Sequence, residues 1–251
     1  MSNHTVLNGI TAWIRNGRGC YWILLDPDHF SADEGARIAK NAQRAGADAV
    51  LVGGSLLHTV SLDDFINAVK SVVSIPVILF PGDATQLSAK ADAVLFLSLV
   101  SGRNPSNLIG EHVKAAPIIK RYGIEPIATA YMLVESGTTT SVEFMSHTRP
   151  LPRTKPSIAA AHALAAQYLG MSMVYLEAGS GAAQSVPLDM VKAVRAAVEL
   201  PLIVGGGIRS AAAAQALIKA GADIIVTGNL LQQKNGQTIM KEIARAVKLK
   251  E

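Results

Sequence analysis

A chain of 251 residues with 49% hydrophobic and only 17% charged residues is long for one ordinary domain, but it suits a single α/β barrel over residues 1–251 with a large apolar core. No apolar run approaches the roughly 18 residues of a membrane span. One cysteine, Cys20, excludes an internal disulfide framework and a Cys-based zinc site. The net charge of +4 suits anionic small molecules or an anionic lipid surface, and no basic run is dense enough for nucleic acid.

Met1 to Thr5 lacks the basic and apolar regions of a signal peptide, so the cytoplasm is the expected compartment. Beyond it, apolar runs alternate with amphipathic stretches. Strands are expected at Cys20–Asp26, Ala49–Gly53, Pro76–Phe80, Ala93–Leu99, Glu125–Tyr131, Met173–Glu177, Pro201–Gly205 and Asp223–Gly228. Helical patterns cover Ala32–Ala45, Leu62–Val73, Pro105–Tyr122, Ser157–Leu169, Leu188–Val198, Ala211–Ala220 and Gln237–Lys248. Three strands follow a repeated small-residue unit: Ala45-Gly46-Ala47-Asp48, Lys90-Ala91-Asp92 and Ala220-Gly221-Ala222-Asp223. Each reads as a helix C-cap leading into a buried parallel strand. Eight such units define a (β/α)8 (TIM) barrel, with an open doubly wound sheet as the alternative. Residues 81–91 are too few for a full helix, so one outer helix is expected to be reduced or missing.

The loop from Glu135 to Pro156 is long for a compact domain and carries Arg149, Arg153 and Lys155. It reads either as a solvated surface loop or as a basic lid over an anionic substrate.

Barrel active sites lie at the C-terminal ends of the strands. Those ends hold Asp26-Pro27-Asp28, Gly53-Gly54-Ser55, Phe80-Pro81-Gly82-Asp83, Tyr131, Glu177-Ala178-Gly179, Gly205-Gly206-Gly207 and Thr227-Gly228-Asn229. No lysine stands among them, which argues against Schiff-base aldolase chemistry. Neither an Asp pair on opposite strands nor a Cys–Asp pair is available for two-base epimerisation or isomerisation. The glycine ends of the seventh and eighth strands have the order and spacing of a phosphate cradle, in which backbone N–H groups face an anion. Glu177 is a carboxylate beside that cradle, with salt-bridging to a barrel arginine as its structural alternative. Tyr175 shares its side of the strand. Asp26, with a hydroxyl from Ser55, has the chemistry to hold Mg²⁺ against a diphosphate; the alternative makes Asp26 and Asp28 turn or N-cap residues. The six histidines show no metal-ligand spacing, and Trp13 and Trp22 read as packing residues.

Tyr175-Leu176-Glu177-Ala178-Gly179-Ser180-Gly181, together with Leu24-Leu25-Asp26-Pro27-Asp28, Val52-Gly53-Gly54-Ser55, Gly205-Gly206-Gly207-Ile208 and Thr227-Gly228-Asn229, resembles the geranylgeranylglyceryl phosphate synthases. The likeness spans nearly the whole chain, includes the T-R-P-L-P-R loop, and matches the longer group of that family. The resemblance implies a prenyltransferase that joins sn-glycerol 1-phosphate to an all-trans polyprenyl diphosphate, geranylgeranyl diphosphate foremost. It further implies that Asp26 and Ser55 bind Mg²⁺ and the diphosphate. Tyr175, Leu176, Glu177, Ala178, Gly179, Ser180, Gly181, Gly205, Gly206, Gly207, Gly228 and Asn229 would bind glycerol 1-phosphate. Glu177 would take the proton of the attacking hydroxyl, with Tyr175 beside it. Members of the family commonly carry lysine after D-P-D, where this chain has His29; Arg149 or Arg153 is the expected compensation.

An apolar groove for the prenyl tail is expected, with tail length selected by groove length at roughly 0.8 kcal/mol per buried methylene. Two other readings stand beside this one: a phosphosugar isomerase or lyase on the same barrel, and a non-catalytic barrel that binds phosphate or a lipid surface. The Ala-rich helices around Ser157–Ala166 and Ala211–Ala220 suggest a homo-oligomer, and a lipid product suggests peripheral membrane contact.

Overall fold

β-Branched and aliphatic runs without polar interruption, buried on both faces, can only pair in the middle of a layered α/β structure. In the computed structural model, which describes residues 5–58, 61–228, 230 and 235–248, they do so as a closed parallel barrel of eight strands in sequential order. The strands are β1 (Cys20–Leu25), β2 (Ala49–Val52), β3 (Val77–Leu79), β4 (Ala93–Leu99), β5 (Glu125–Leu133), β6 (Met173–Glu177), β7 (Leu202–Gly205) and β8 (Ile224–Thr227). Pairing of β1 with β8, Cys20 opposite Ile224 through Ile23 opposite Thr227, closes the ring. This excludes the open doubly wound sheet.

Alternation along each strand creates two apolar layers. Trp22, Leu51, Ile78, Leu95, Ile127, Tyr175, Ile203 and Val226 fill the interior. Tyr21, Val50, Leu79, Val94, Val174, Leu176 and Ile225 pack outward beneath the helices. Those helices are α2 (Ala32–Ala45), α3 (Leu62–Lys70), α4 (Glu111–Tyr122), α6 (Pro156–Tyr168), α7 (Leu188–Ala197), α8 (Ala211–Lys219) and α9 (Gly236–Lys248). Local signals set their ends. Ser31 and Glu34 form a reciprocal capping box at the start of α2, and Gly46 closes it in the left-handed conformation at φ 107°.

The structure departs from the sequence reading in three places. An additional helix, α1 (Thr5–Arg15), lies against the interior layer through Val6, Leu7, Ile10, Trp13 and Ile14. Its first turn is held by the buried Glu125 carboxylate, which accepts the N–H groups of Val6 (2.9 Å) and Leu7 (3.0 Å). The expected helix at 105–122 is divided into a π-helical turn, Ser106–Gly110, and α4. A short helix, α5 (Ser141–Ser146), capped by Thr140, stands within the long β5–α6 loop. Among the described residues no helix separates β3 from β4, as the short 81–91 spacing requires. None of the described helices is long and apolar enough to cross a membrane.

Candidate active site

Alternation along β6 puts Met173 and Tyr175 inside the barrel and Val174 and Leu176 outside. Glu177 therefore points inward at the top of the strand, 6% exposed. Burial raises its carboxyl to about 7. The N–H of Gly179, donating to Oε1 at 2.6 Å, and the nearby Tyr175 hydroxyl oppose that rise. The Tyr175 hydroxyl faces the carboxylate but is not in hydrogen-bond geometry with it. No arginine bonds Glu177, so the salt-bridge alternative does not hold among the described residues. Space for the carboxylate comes from β7. A Cβ at Gly205 would lie 2.7 Å from Glu177 Oε2, and one at Gly206, where φ is 84°, would lie 2.5 Å from Oε1 and 2.7 Å from the Gly179 nitrogen.

Gly179, Ser180, Gly181, Gly206, Gly207 and Gly228 line one end of a cavity of about 560 Å³, together with Tyr175 and Glu177. Two arginines fix the backbone of this end. Arg209 donates to the carbonyls of Ala182 (2.8 Å) and Ala183 (3.2 Å), and Arg153 to those of Glu135 (2.9 Å) and Ser185 (2.9 Å). The β6–α7 loop is thus tied to both neighbouring loops. Thr140, the cap of α5, packs directly on Gly179.

Three predicted residues do not line the cavity: Leu176 and Ala178 face the outer layer, and Gly205 lies beneath Glu177 and Tyr175. Ala178 takes part only through its backbone, donating to the Gly205 carbonyl at 3.1 Å. Asn229 lies outside the described residues.

Across the mouth, Asp26 and Ser55 line the same cavity. Asp26 Oδ1 accepts the Asp28 N–H at 3.0 Å, and Oδ2 lies 3.5 Å from His29 Nδ1. Burial is the main influence on the Asp26 carboxyl and raises it. A Cβ at Gly54 would come within 2.6 Å of Asp26 Oδ2, so only glycine leaves room for the carboxylate. Asp28 turns away to accept the N–H of His58 (3.1 and 3.2 Å). No group of three or more His, Cys, Asp or Glu side chains converges among the described residues. A cation here would rest on Asp26, Ser55 and oxygens of the substrate, the manner in which Mg²⁺ is usually held beside phosphates.

Between these ends the cavity runs into an apolar recess. Phe80, Leu87, Val94 and Phe96 form one wall, and Ala115 and Ile119 of α4 the other. The recess opens where a β3–β4 helix would stand. His112 lies there edge-on to Phe96, ring centroids 4.5 Å apart, with Nε2 at 3.0 Å from Ser98 Oγ. Val142, Met145 and Ser146 of α5 complete the mouth. Where this loop meets the cavity it brings Val142, Met145 and Ser146 and no basic side chain, which disfavours the basic lid of the two readings of the loop. Arg149 instead lines a separate pocket of about 270 Å³ with Glu135 and Glu143, and Arg153 is engaged by backbone carbonyls. Neither replaces the basic contact missing at His29. The arginine in the cavity lining is Arg209, and its position directly after Gly207-Ile208 was the signal for it.

A buried carboxylate, a glycine-lined end and an apolar recess share one cavity at the strand ends of a (β/α)8 barrel, where barrel enzymes carry their active sites. The chain belongs to the PcrB family, whose model matches residues 11–247. It is 49% identical over 214 residues to the geranylgeranylglyceryl phosphate synthase of Thermococcus gammatolerans, covering 85% of this chain and 84% of the relative. It is 46% identical to the synthase of the same name from Thermococcus kodakarensis, covering 91% and 92%. The crystal structure of (S)-3-O-geranylgeranylglyceryl phosphate synthase from Thermoplasma acidophilum in complex with sn-glycerol-1-phosphate superposes with a TM-score of 0.92 at 38% identity. It covers 97% of this chain and 98% of that one.

Proposed function

We propose that this chain is a prenyltransferase that joins sn-glycerol 1-phosphate to a polyprenyl diphosphate, geranylgeranyl diphosphate foremost, and releases diphosphate. The observation that carries this reading is the continuity of one cavity from the Glu177 carboxylate and its glycine cradle, past Asp26, into the apolar recess along β4 and α4. The similarity to geranylgeranylglyceryl phosphate synthases supports it.

Glycerol 1-phosphate places its phosphate on the backbone N–H groups around Gly206, Gly207 and Gly228, leaving its terminal hydroxyl beside Glu177. The ionised carboxylate accepts the hydroxyl proton as the oxygen attacks the allylic carbon. The new C–O bond forms as the bond to diphosphate breaks, and the electron pair of that bond leaves with the diphosphate. Asp26 and Ser55 would hold Mg²⁺, which when bound supplies charge neutralisation for the leaving group. The prenyl tail lies in the recess, where Phe96, Ala115 and Ile119 exclude water. An isomerase or lyase on this barrel would pair Glu177 with a second acid–base group of the lining; the continuous apolar recess, which a short phosphosugar does not need, favours the prenyl substrate.

Ile158, Tyr168 and Leu169 leave apolar surface on and just beyond α6 and support a homo-oligomer, which light scattering at micromolar concentration tests; a monomer-sized species alone would remove it. The cytoplasm and a peripheral contact with membrane lipid complete the proposal.

The deciding experiment is product formation from glycerol 1-phosphate with farnesyl, geranylgeranyl and heptaprenyl diphosphates, with and without Mg²⁺, and glycerol 3-phosphate as stereochemical control. Ether product dependent on Mg²⁺ and on the 1-phosphate is expected. No product with any chain would defeat the reading.

A further inference from the structure

Directly beneath Glu177 lies a layer of three aromatic rings contributed by three different strands or strand ends. Tyr131 of β5 and Tyr175 of β6 are register partners, and Phe80 follows the last residue of β3. The ring centroids of Phe80 and Tyr175 are 5.6 Å apart with planes at 20°. Tyr131 stands edge-on to both, at 5.8 Å from Phe80 and 5.3 Å from Tyr175. All three line the cavity, between the Asp26–Ser55 end and the Glu177 end. Elsewhere the barrel interior is filled by aliphatic side chains with Cys20, Met173 and Trp22, so this is the layer where aromatic rings gather, and it is a layer that meets the cavity.

We propose that Phe80 and Tyr131, backed by the fully buried Tyr175 stacked on Phe80, form an aromatic cage for the allylic cation that develops on the prenyl chain, which makes Phe80 and Tyr131 catalytic residues of the transfer and Tyr175 a positioning residue. The proposal rests on the prenyltransferase reading above. As the carbon–oxygen bond to diphosphate lengthens, its electron pair goes to the leaving group and positive charge spreads over the allylic carbons. Those carbons must sit between the diphosphate at Asp26 and the hydroxyl oxygen at Glu177, and hence over the ring layer. Aromatic faces attract a cation without offering it a bond, and the attraction grows when water is excluded. Asp26 and Glu177 flank the layer, one at the leaving-group end and one at the nucleophile end, so no carboxylate need touch the cation itself. Both phenols are also held protonated: burial, reinforced by the Glu177 charge, raises their hydroxyls well above the ordinary range. A neutral phenol is a poor nucleophile, so the cage is not itself prenylated.

Two measurements test this. Phe80 is replaced by phenylalanines bearing one, two and three ring fluorines, which keep shape while draining the π face, and single-turnover ether formation is timed. The rate should fall progressively with each fluorine, to about tenfold overall, with the affinity for glycerol 1-phosphate unchanged. Binding is then measured calorimetrically, with inorganic diphosphate present, for an allylic ammonium analogue and its neutral carbon isostere. The parent should prefer the ammonium by about tenfold, and Tyr131→Leu should lose that preference while Tyr131→Phe keeps it. A flat rate across the fluorine series in an enzyme that makes ether, or equal binding of the two analogues, overturns the cage and leaves the prenyltransferase reading standing. Absence of ether from every prenyl diphosphate overturns both.

Discussion

Exchanging Glu177 for Gln sets stability against turnover, with a sign that burial dictates. The folded chain holds this carboxyl at about 7 against an ordinary 4.5. Between those pH values folding takes up a proton that unfolding releases, so the parent loses stability as pH rises from about 4.5 to about 7 and does not regain it above. Glutamine has the same shape, still accepts from the Gly179 N–H, and never ionises. The difference between variant and parent should be near zero at pH 4 and grow to about 3 kcal/mol in favour of the variant at pH 8. For a chain of this size that is a rise in Tm on the order of 5–10 °C. Turnover moves the other way, falling by roughly 10²–10⁴-fold with the loss of the base. Thermal and urea unfolding at pH 4, 6 and 8, run beside the prenyl-transfer assay, measure both. A stability gap equal at pH 4 and pH 8, or a variant less stable at pH 8, would refute the argument that burial without a counter-charge governs this group.

The parent's kcat/KM should fall about tenfold per pH unit below about 7, as Glu177 takes up its proton, and the pH profile of the transfer reaction shows this directly. Gly206→Ala puts a methyl 2.5 Å from Glu177 Oε1 on a backbone at φ 84°; it should cost about 1–3 kcal/mol in urea unfolding and weaken glycerol 1-phosphate in calorimetry. Asp26→Asn should lower turnover by roughly 10²-fold or more, and a chelator that inhibits the parent should have little left to remove from the variant. Ala115→Phe fills the recess between α4 and β4. Chain preference should shift toward shorter prenyl diphosphates, by roughly fourfold in affinity per methylene denied its contact.

Much of this architecture is written locally. Parallel strands buried on both faces leave apolar runs, their ends leave glycines and carboxylates, and Ser31 to Glu34 writes a helix start in four residues. The barrel was legible for that reason, and so was the gathering of strand-end glycines around Glu177. Other features depend on distant partners. The spacing of Val6, Leu7, Ile10, Trp13 and Ile14 does mark α1 as amphipathic, but its anchor, Glu125, lies at the start of β5 and has no local signature. Arg153 has the composition of an anion contact, yet two backbone carbonyls claim it. Leu176 sits inside the most recognisable motif of the chain and faces away from the cavity, because strand alternation outranks motif membership. An apolar groove and a missing helix were both expected, but which residues line the recess was hidden for a related reason. Val94 and Phe96 read as ordinary outward core residues until the absence of a covering helix exposes them to the cavity.

That uncovered stretch of β4 also bears on how such an enzyme can diversify. An intact ring of helices would force head group and tail through one opening, and any change in the tail would disturb the reacting end. Here a single strand serves two clients. Leu95 and Leu99 look into the barrel, whereas Val94 and Phe96 look out toward α4. Substitutions on the outward side and on the facing helix can retune which hydrocarbon is accommodated without moving Glu177 or the glycine loops beside it. Lipid choice and bond-making can therefore drift separately through sequence, because a gap in the wall has given each its own surface.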